Sequence, residues 1–266
     1  MSATAPNTMI AFDAAAARRV EQVYLTPDVV AQRCKVIELL APRPNQRVLD
    51  VGCGPGLLLY DLAKIVGAGG KAVGIDISDA MLEMASARCE GLAQVDTIGA
   101  PADALPFADG HFDLAVSTQV HEYVQNTIGS LVELARVIRP GGRVLILDTA
   151  WDSLVLYSPD PDLTRRVLAA WDQHLAHPNL PTTLKPALRQ AGFDPIDMSI
   201  HTIFSPYYHE HCYSASMVKM IGNYVAEHAL LPEDAIADWK AQMLSEETKD
   251  NWYFALNRCL FTALRS

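Results

Sequence analysis

The sequence predicts a doubly wound α/β fold on a mostly parallel, seven-stranded sheet with helical decorations. Two observations carry this. Between residues 46 and 149, short apolar runs alternate with helix-period segments, the pattern of strands buried on both faces beneath crossover helices. A glycine-dense turn, Gly52-Cys-Gly-Pro-Gly56, joins the first of those runs to the first helix. Glycine there lets the chain turn tightly and lets a ligand approach the backbone.

Taken in order, residues 1–11 lack periodicity and read as a loose tail. Residues 12–40 read as helical. Thr26-Pro27 is a helix start, followed by Val29, Val30, Val36, Ile37 and Leu40 at helical spacing. Strands are expected at 47–51, 72–76, 94–98, 112–117 and 143–148. Helices are expected at 57–66, 79–89 and 128–138, the last stopped by Pro140-Gly-Gly142. The alternation breaks after Asp148. Residues 150–181 read as an elaborated connection with one helix near 162–176. A helix at 182–191, a strand at 196–204, helices near 214–229 and 233–247, and a last strand at 253–264 complete the chain. A single domain over 1–266 is expected, with its core at 46–149 and decorations at 150–181 and 205–250.

Composition narrows the classes of function. Half of the 266 residues are apolar, and 31 acidic against 21 basic residues give a net charge of −10. A nucleic-acid partner is not expected, because phosphate binding needs a basic surface. The five cysteines show no C-x-x-C pair, which argues against a disulfide framework or a zinc site and fits a reducing cytoplasm. No basic start followed by an apolar run suggests a signal peptide, and no window of about 18 apolar residues suggests a membrane span.

The glycine spacing selects among cofactors. A dinucleotide loop reads G-x-G-x-x-G/A, whereas here Leu57 takes the third-glycine place and the run is Asp50-Val-Gly52-Cys53-Gly54-Pro-Gly56. Asp76 follows twenty residues after Gly56, at the end of the second strand. A carboxylate there can accept bonds from two ribose hydroxyls; otherwise it caps the next helix. This D-x-G-x-G-x-G run resembles the S-adenosylmethionine (SAM) loop of class I methyltransferases. Residues 22–149 resemble the ubiquinone and menaquinone biosynthesis type and its small-molecule relatives. The matching residues are Val48–Gly56, Gly74–Ser78 with Met81, Ala104-Leu-Pro-Phe107, Phe112–Ser117 and Arg139-Pro-Gly-Gly142.

The resemblance implies a SAM-dependent transfer of a methyl group to a small molecule, with S-adenosylhomocysteine as product and a helical lid over 12–45. Ile77 and Met81 would pack on adenine and ribose. Ala102 and Asp103 would meet the adenine edge, although Pro101 stands where the family has its usual Asp. Thr118 and Gln119 would meet the methionine part. Tyr24 would serve as a lid residue near the sulfonium. Arg33 would pair with the methionine carboxylate or, as a surface residue, with Glu38.

The acceptor side is read from residue type and position. His121 follows the fourth strand and is the candidate general base, or else a structural histidine at a helix start. Trp151 and Asp152, just past the fifth strand, and Tyr207, Tyr208, His209 and His211, past the sixth, are candidate acceptor contacts. The histidine pair lacks a third ligand, so no metal is expected. Trp171 and Trp252 are expected in the core. The aromatic content of these segments suggests an aromatic or apolar acceptor. Arsenite methylation would need cooperating cysteines that are absent. A non-catalytic SAM-fold subunit or sensor is the alternative, and a nicotinamide oxidoreductase is disfavoured by the glycine spacing. Oligomeric state is left open.

Overall fold

A computed structural model describes residues 14–266. The tail expected over 1–11 and the first residues of the 12–45 segment lie outside the described residues. Helices α1 (Ala14–Tyr24) and α2 (Pro27–Leu40) precede the alternating core. That core runs β1 (Arg47–Val51), α3 (Leu57–Val66), β2 (Lys71–Asp76), α4 (Asp79–Arg88), β3 (Val95–Gly99), β4 (Phe112–Thr118), α5 (Thr127–Val137) and β5 (Ile138–Leu156). Then follow α6 (Pro161–Trp171), a 3-10 turn at Asp172–His174, α7 (Leu180–Gln190), β6 (Phe193–Ser205), α8 (Tyr213–Glu227), α9 (Glu233–Met243), α10 (Glu246–Asp250) and β7 (Phe254–Arg265).

The seven strands form one sheet in the order β3-β2-β1-β4-β5-β7-β6. β7 is antiparallel to both neighbours, β5 and β6, and the other pairings are parallel. Strand order reverses between β1 and β4, so a crevice opens at their carboxyl ends, where open α/β sheets bind ligands.

Local chemistry sets the helix starts. Pro161 occupies the first turn of α6, and the Asp160 side chain accepts from the Leu163 amide at 2.9 Å. The Asn126 side chain caps α5 through the Gly129 amide at 3.0 Å. Three apolar cores result. One lies between the sheet and α5 and α7, around Leu131, Leu184, Phe193 and Phe261. Another lies on the opposite face under α2, α3 and α4, around Leu40, Leu59, Leu62 and Leu260. The third joins α6, α8 and α9 to the far ends of β5 and β7, around Trp171, Trp239, Ile221 and Phe254. Each fully buried leucine in them contributes roughly 1.5–3 kcal/mol. Trp171 and Trp252 are in this third core, 2% and 5% exposed.

Among the boundaries that differ from expectation, two lengthen β5. α5 ends at Val137, and Ile138 already pairs with Phe112 as the start of β5. β5 also runs past Asp148 to Leu156, pairing with β7 as far as Phe254 across an irregularity between Ala150 and Val155. The first part of the 150–181 segment is therefore sheet. The sheet continues because Leu154-Val-Leu156 is apolar and unbroken until Pro159, while β7 supplies a long antiparallel partner.

Gly56 packs α3 against α4. Its φ is +77°, and a Cβ there would sit 2.7 Å from Ala85 Cα. Left-handed backbone and overlap together predict that Gly56→Ala lowers stability by roughly 2–4 kcal/mol. Urea denaturation measures this, and an unchanged midpoint would show that the helices can part without cost.

Candidate active site

A cavity of about 870 Å³ opens at the carboxyl ends of β1, β2 and β4, within the size range of ligand sites. Twelve residues expected from the sequence to hold a cofactor border it: Tyr24, Arg33, Gly52, Cys53, Gly54, Asp76, Ile77, Met81, Ala102, Asp103, Thr118 and Gln119.

The glycine loop is built on hydrogen bonds to β2. The Cys53 amide donates to the Ile75 carbonyl at 2.9 Å, and the Gly54 amide donates to Asp76 Oδ2 at 2.9 Å. Asp76 Oδ1 accepts from the Ser78 amide at 2.9 Å. Ser78, not Asp76, caps α4, with its side chain accepting from Met81 N. Asp76 thus braces the loop and keeps acceptor capacity on both oxygens. At Gly54 a Cβ would meet nothing within 4 Å, whereas at Gly52 it would press on Val120 at 2.2 Å. The loop offers an open backbone cradle above Gly54, while at Gly52 the Val120 side chain packs on the bare backbone. Ile77 stands at the rim with 71% of its surface exposed, and Met81 is buried beside it. A carboxylate, an apolar ledge and a bare glycine backbone fit the ribose, adenine and amino-acid parts of SAM.

Two residues expected in the cofactor set do not border the cavity. Gly56 meets α4 instead, because its α-carbon faces Ala85. Asp50 lies beneath the loop, 1% exposed, with neither carboxylate oxygen hydrogen-bonded. Burial, reinforced by the nearby Asp76 charge, pushes its pKa from 3.8 to about 8. Arg33 borders the cavity, but its Nε donates to Asp61 at 2.8 Å. Glu38, the surface partner considered for it, pairs with Lys35 at 2.8 Å.

The acceptor candidates need correction. His121 is fully buried away from the cavity lining. Its Nδ1 lies 3.1 Å from Ser117 Oγ, and burial pushes its pKa down to about 4. Trp151 faces inward, donating its indole N–H to Glu122 at 3.1 Å, because β5 continues through it. Asp152 is exposed on the same strand. Tyr207, 82% exposed, and His209 and His211 lie on the surface after β6. Tyr208 packs on Trp252, ring centroids 5.1 Å apart. None of these borders the cavity. That side of it is formed instead by Tyr123–Asn126 after β4 and Gln173–Ala176 after α6, segments that carry no cofactor motif and come together only through the fold.

Beneath this wall lies a buried polar network. Glu122, Asp148, Thr149 and Arg258 are all 0% exposed. Glu122 accepts from the Thr149 amide at 3.2 Å and from Trp151. Asp148 accepts from the Glu122 amide at 3.4 Å. Arg258, from β7, donates to Thr149 Oγ1 and to the Tyr213 hydroxyl. With the Gln119 carbonyl turned toward it, Arg258 also donates there at 2.8 and 3.2 Å. Gln119 has φ +58°, an uncommon conformation for a non-glycine residue, and this contact helps to hold it at the cavity. Burial raises the pKa of Glu122 and of Asp148 against the opposing pull of Arg258. The sequence did carry one signal: Arg258 interrupts the inward row Phe254, Leu256, Leu260 of an apolar strand.

Residues 49–146 match the family model described as "Methyltransferase domain". The chain is 37% identical over 145 residues to an uncharacterized 37.1 kDa protein in transposon TN4556 of Streptomyces fradiae, covering 54% of this chain and 42% of that protein. It is 41% identical over 111 residues to 2-phytyl-1,4-naphtoquinone methyltransferase of Synechococcus elongatus, covering 41% of this chain and 48% of the relative. The chain thus spans less than half the length of these two relatives. The YcgJ protein of Bacillus subtilis superposes with a TM-score of 0.63 at 18% identity, over 89% of this chain and 98% of that one. Sheet order, glycine loop and the match over residues 49–146 make this part of the chain similar to a class I SAM-dependent methyltransferase domain.

Two predictions follow from this geometry. Asp50 binds a proton more tightly folded than unfolded, so its contribution to stability is complete below pH 3.8 and is lost as pH rises toward about 8. Asp50→Asn should therefore gain stability relative to the wild type between pH 5 and pH 9, read by urea denaturation at both values. A constant difference would mean that Asp50 is ionised in the fold. Separately, Arg258→Met leaves two buried carboxyl groups without their cation and should lower stability by about 3–5 kcal/mol at neutral pH. Because both carboxyl pKa values are raised, the loss should shrink at pH 5.

Proposed function

We propose that this protein transfers a methyl group from SAM to an uncharged, aromatic or apolar small molecule. The observation that carries this reading is the division of charge within one cavity. Its charged lining residues, Arg33, Asp76 and Asp103, belong to the cofactor set, while Tyr123–Asn126 and Gln173–Ala176 carry no formal charge with His174 neutral. Such a wall repels neither a ring nor a chain, and it offers amides and a hydroxyl for orientation. An anionic acceptor would find no cation on that side. The naphthoquinone named for the Synechococcus relative is an acceptor of this uncharged kind.

SAM, when bound, supplies an electrophilic methyl group on a sulfonium. The chain's own part is to orient, enclose and desolvate. Asp76 holds the ribose end, Ile77 and Met81 take the adenine face, and Asp103, two residues past Pro101, meets the adenine edge in place of the usual acid. Thr118 and Gln119 meet the methionine part. α1 and α2 form the lid, with Tyr24 on the cavity; burial pushes its hydroxyl up to about 12, so it stays a neutral hydrogen-bonding group. Excluding water strengthens each of these polar contacts and prevents hydrolysis from competing.

Isothermal titration with S-adenosylhomocysteine tests the reading. The wild type should bind, and Asp76→Ala should bind roughly 10- to 100-fold more weakly, since a charge-assisted hydrogen bond contributes about 1.5–3 kcal/mol. No binding by the wild type would end the proposal.

A further inference from the structure

The acceptor wall contains one side chain whose hydrogen-bonding capacity the fold leaves unused. His174, at the end of the 3-10 turn after α6, borders the cavity and is 1% exposed. Its Nδ1 contacts the backbone carbonyl of Trp171. A carbonyl only accepts, so Nδ1 carries the hydrogen and Nε2 keeps a lone pair. Nε2 is buried and has no hydrogen-bond partner among the described residues. Such an acceptor is costly to bury unless something donates to it.

The surroundings of the ring suit a transient cation. Its centroid lies 3.8 Å from that of Trp171, 5.5 Å from Tyr224, 5.7 Å from Tyr123 and 5.8 Å from Trp151. These rings come from α6, α8, the turn after β4, and β5, so aromatic groups meet the imidazole from four elements. Burial pushes its pKa down to about 4, against the upward pull of the Trp171 carbonyl, so it rests as the neutral base.

We propose that His174 is the general base of the reaction and that the acceptor carries a hydroxyl, phenolic or enolic, which donates to Nε2. This rests on the methyl-transfer reading above. The acceptor oxygen forms the bond to the methyl carbon, the carbon–sulfur bond breaks with its electron pair remaining on sulfur, and the hydroxyl proton passes to Nε2. One cation is lost at sulfur as one appears on the imidazole. The enclosed site thus holds the same number of positive charges before and after, which offsets the burial that makes His174 a weak base at rest. The aromatic rings add cation–π stabilisation, and the Trp171 carbonyl strengthens its bond to the charged ring. His121, the base suggested by the sequence, does not border the cavity.

Two measurements on the full chain test this. In the S-adenosylhomocysteine complex labelled with ¹⁵N-histidine, adding 1-naphthol should move the His174 Nε2 resonance toward the protonated position, while 1-methoxynaphthalene should not. With SAM and either 1-naphthol or catechol, release of S-adenosylhomocysteine should fall about 10²- to 10⁴-fold in kcat for His174→Gln, with KM for SAM unchanged. An Nε2 signal indifferent to the hydroxyl probe, a variant with wild-type kcat, or a wild type that binds the homocysteine product yet methylates neither probe would each overturn the assignment. Failure to bind that product at all would instead remove the underlying reading.

Discussion

The acceptor wall depends on one buried guanidinium. Arg258 sits on an inward position of β7, yet its hydrogen bonds reach the end of β4 through Gln119, β5 through Thr149 and α8 through Tyr213. Glu122, bonded to the same Thr149, brings in the chain after α6, because its backbone carbonyl accepts from the Ala176 and His177 amides at 2.9 and 3.0 Å. One cation thereby gathers the pieces of cavity wall that the sequence scatters. Taking a charge out of water is expensive, and a buried network of this kind is weak grounds for stability. Its worth here is positional. It holds Gln119 at positive φ, and through Glu122 it fixes the carbonyl to which the Ala176 end of the opposite segment is tied.

The two halves of the cavity were unequally legible. The cofactor half is made from one continuous stretch in which each element's role is local. Gly54 must leave room for a ligand, Asp76 must end a strand, and Ile77 and Met81 must follow at the start of a helix. Such requirements leave marks at fixed spacing. The strand and helix positions also followed from periodicity, since each element there is short and regular and some, such as β1 and α3, are closed by glycine. Where periodicity failed, the strand was prolonged by partners distant in the chain, at Ile138 by Phe112 of β4 and beyond Asp148 by β7. No local window contains that information.

The acceptor half has no comparable marks. His174 is an unremarkable residue in the sequence, and its importance arises when α6, α8, β5 and the turn after β4 converge on its ring. His121 was the more visible histidine because it follows a strand at the ligand end of the sheet. The same position turned its side chain into the interior, toward Ser117. Likewise Trp151 is just past the expected end of a strand that in fact continues, so it faces the core. The aromatic and histidine cluster at 207–211 attracted attention by composition alone, and composition does not say which side of a loop meets the protein.

The length of β5 bears on how molecules could enter and leave. From Ile138 to Leu156 it is hydrogen-bonded to β4 and along β7, and through Trp151, Leu154 and Leu156 its far end packs against the helical layer of α6, α8 and α9. The first two helices carry no such ladder and meet the rest through side chains. On the methyl-transfer reading proposed above, α1 and α2 are the cover past which molecules would move, and Tyr24, at the end of α1, is where that cover meets the cavity.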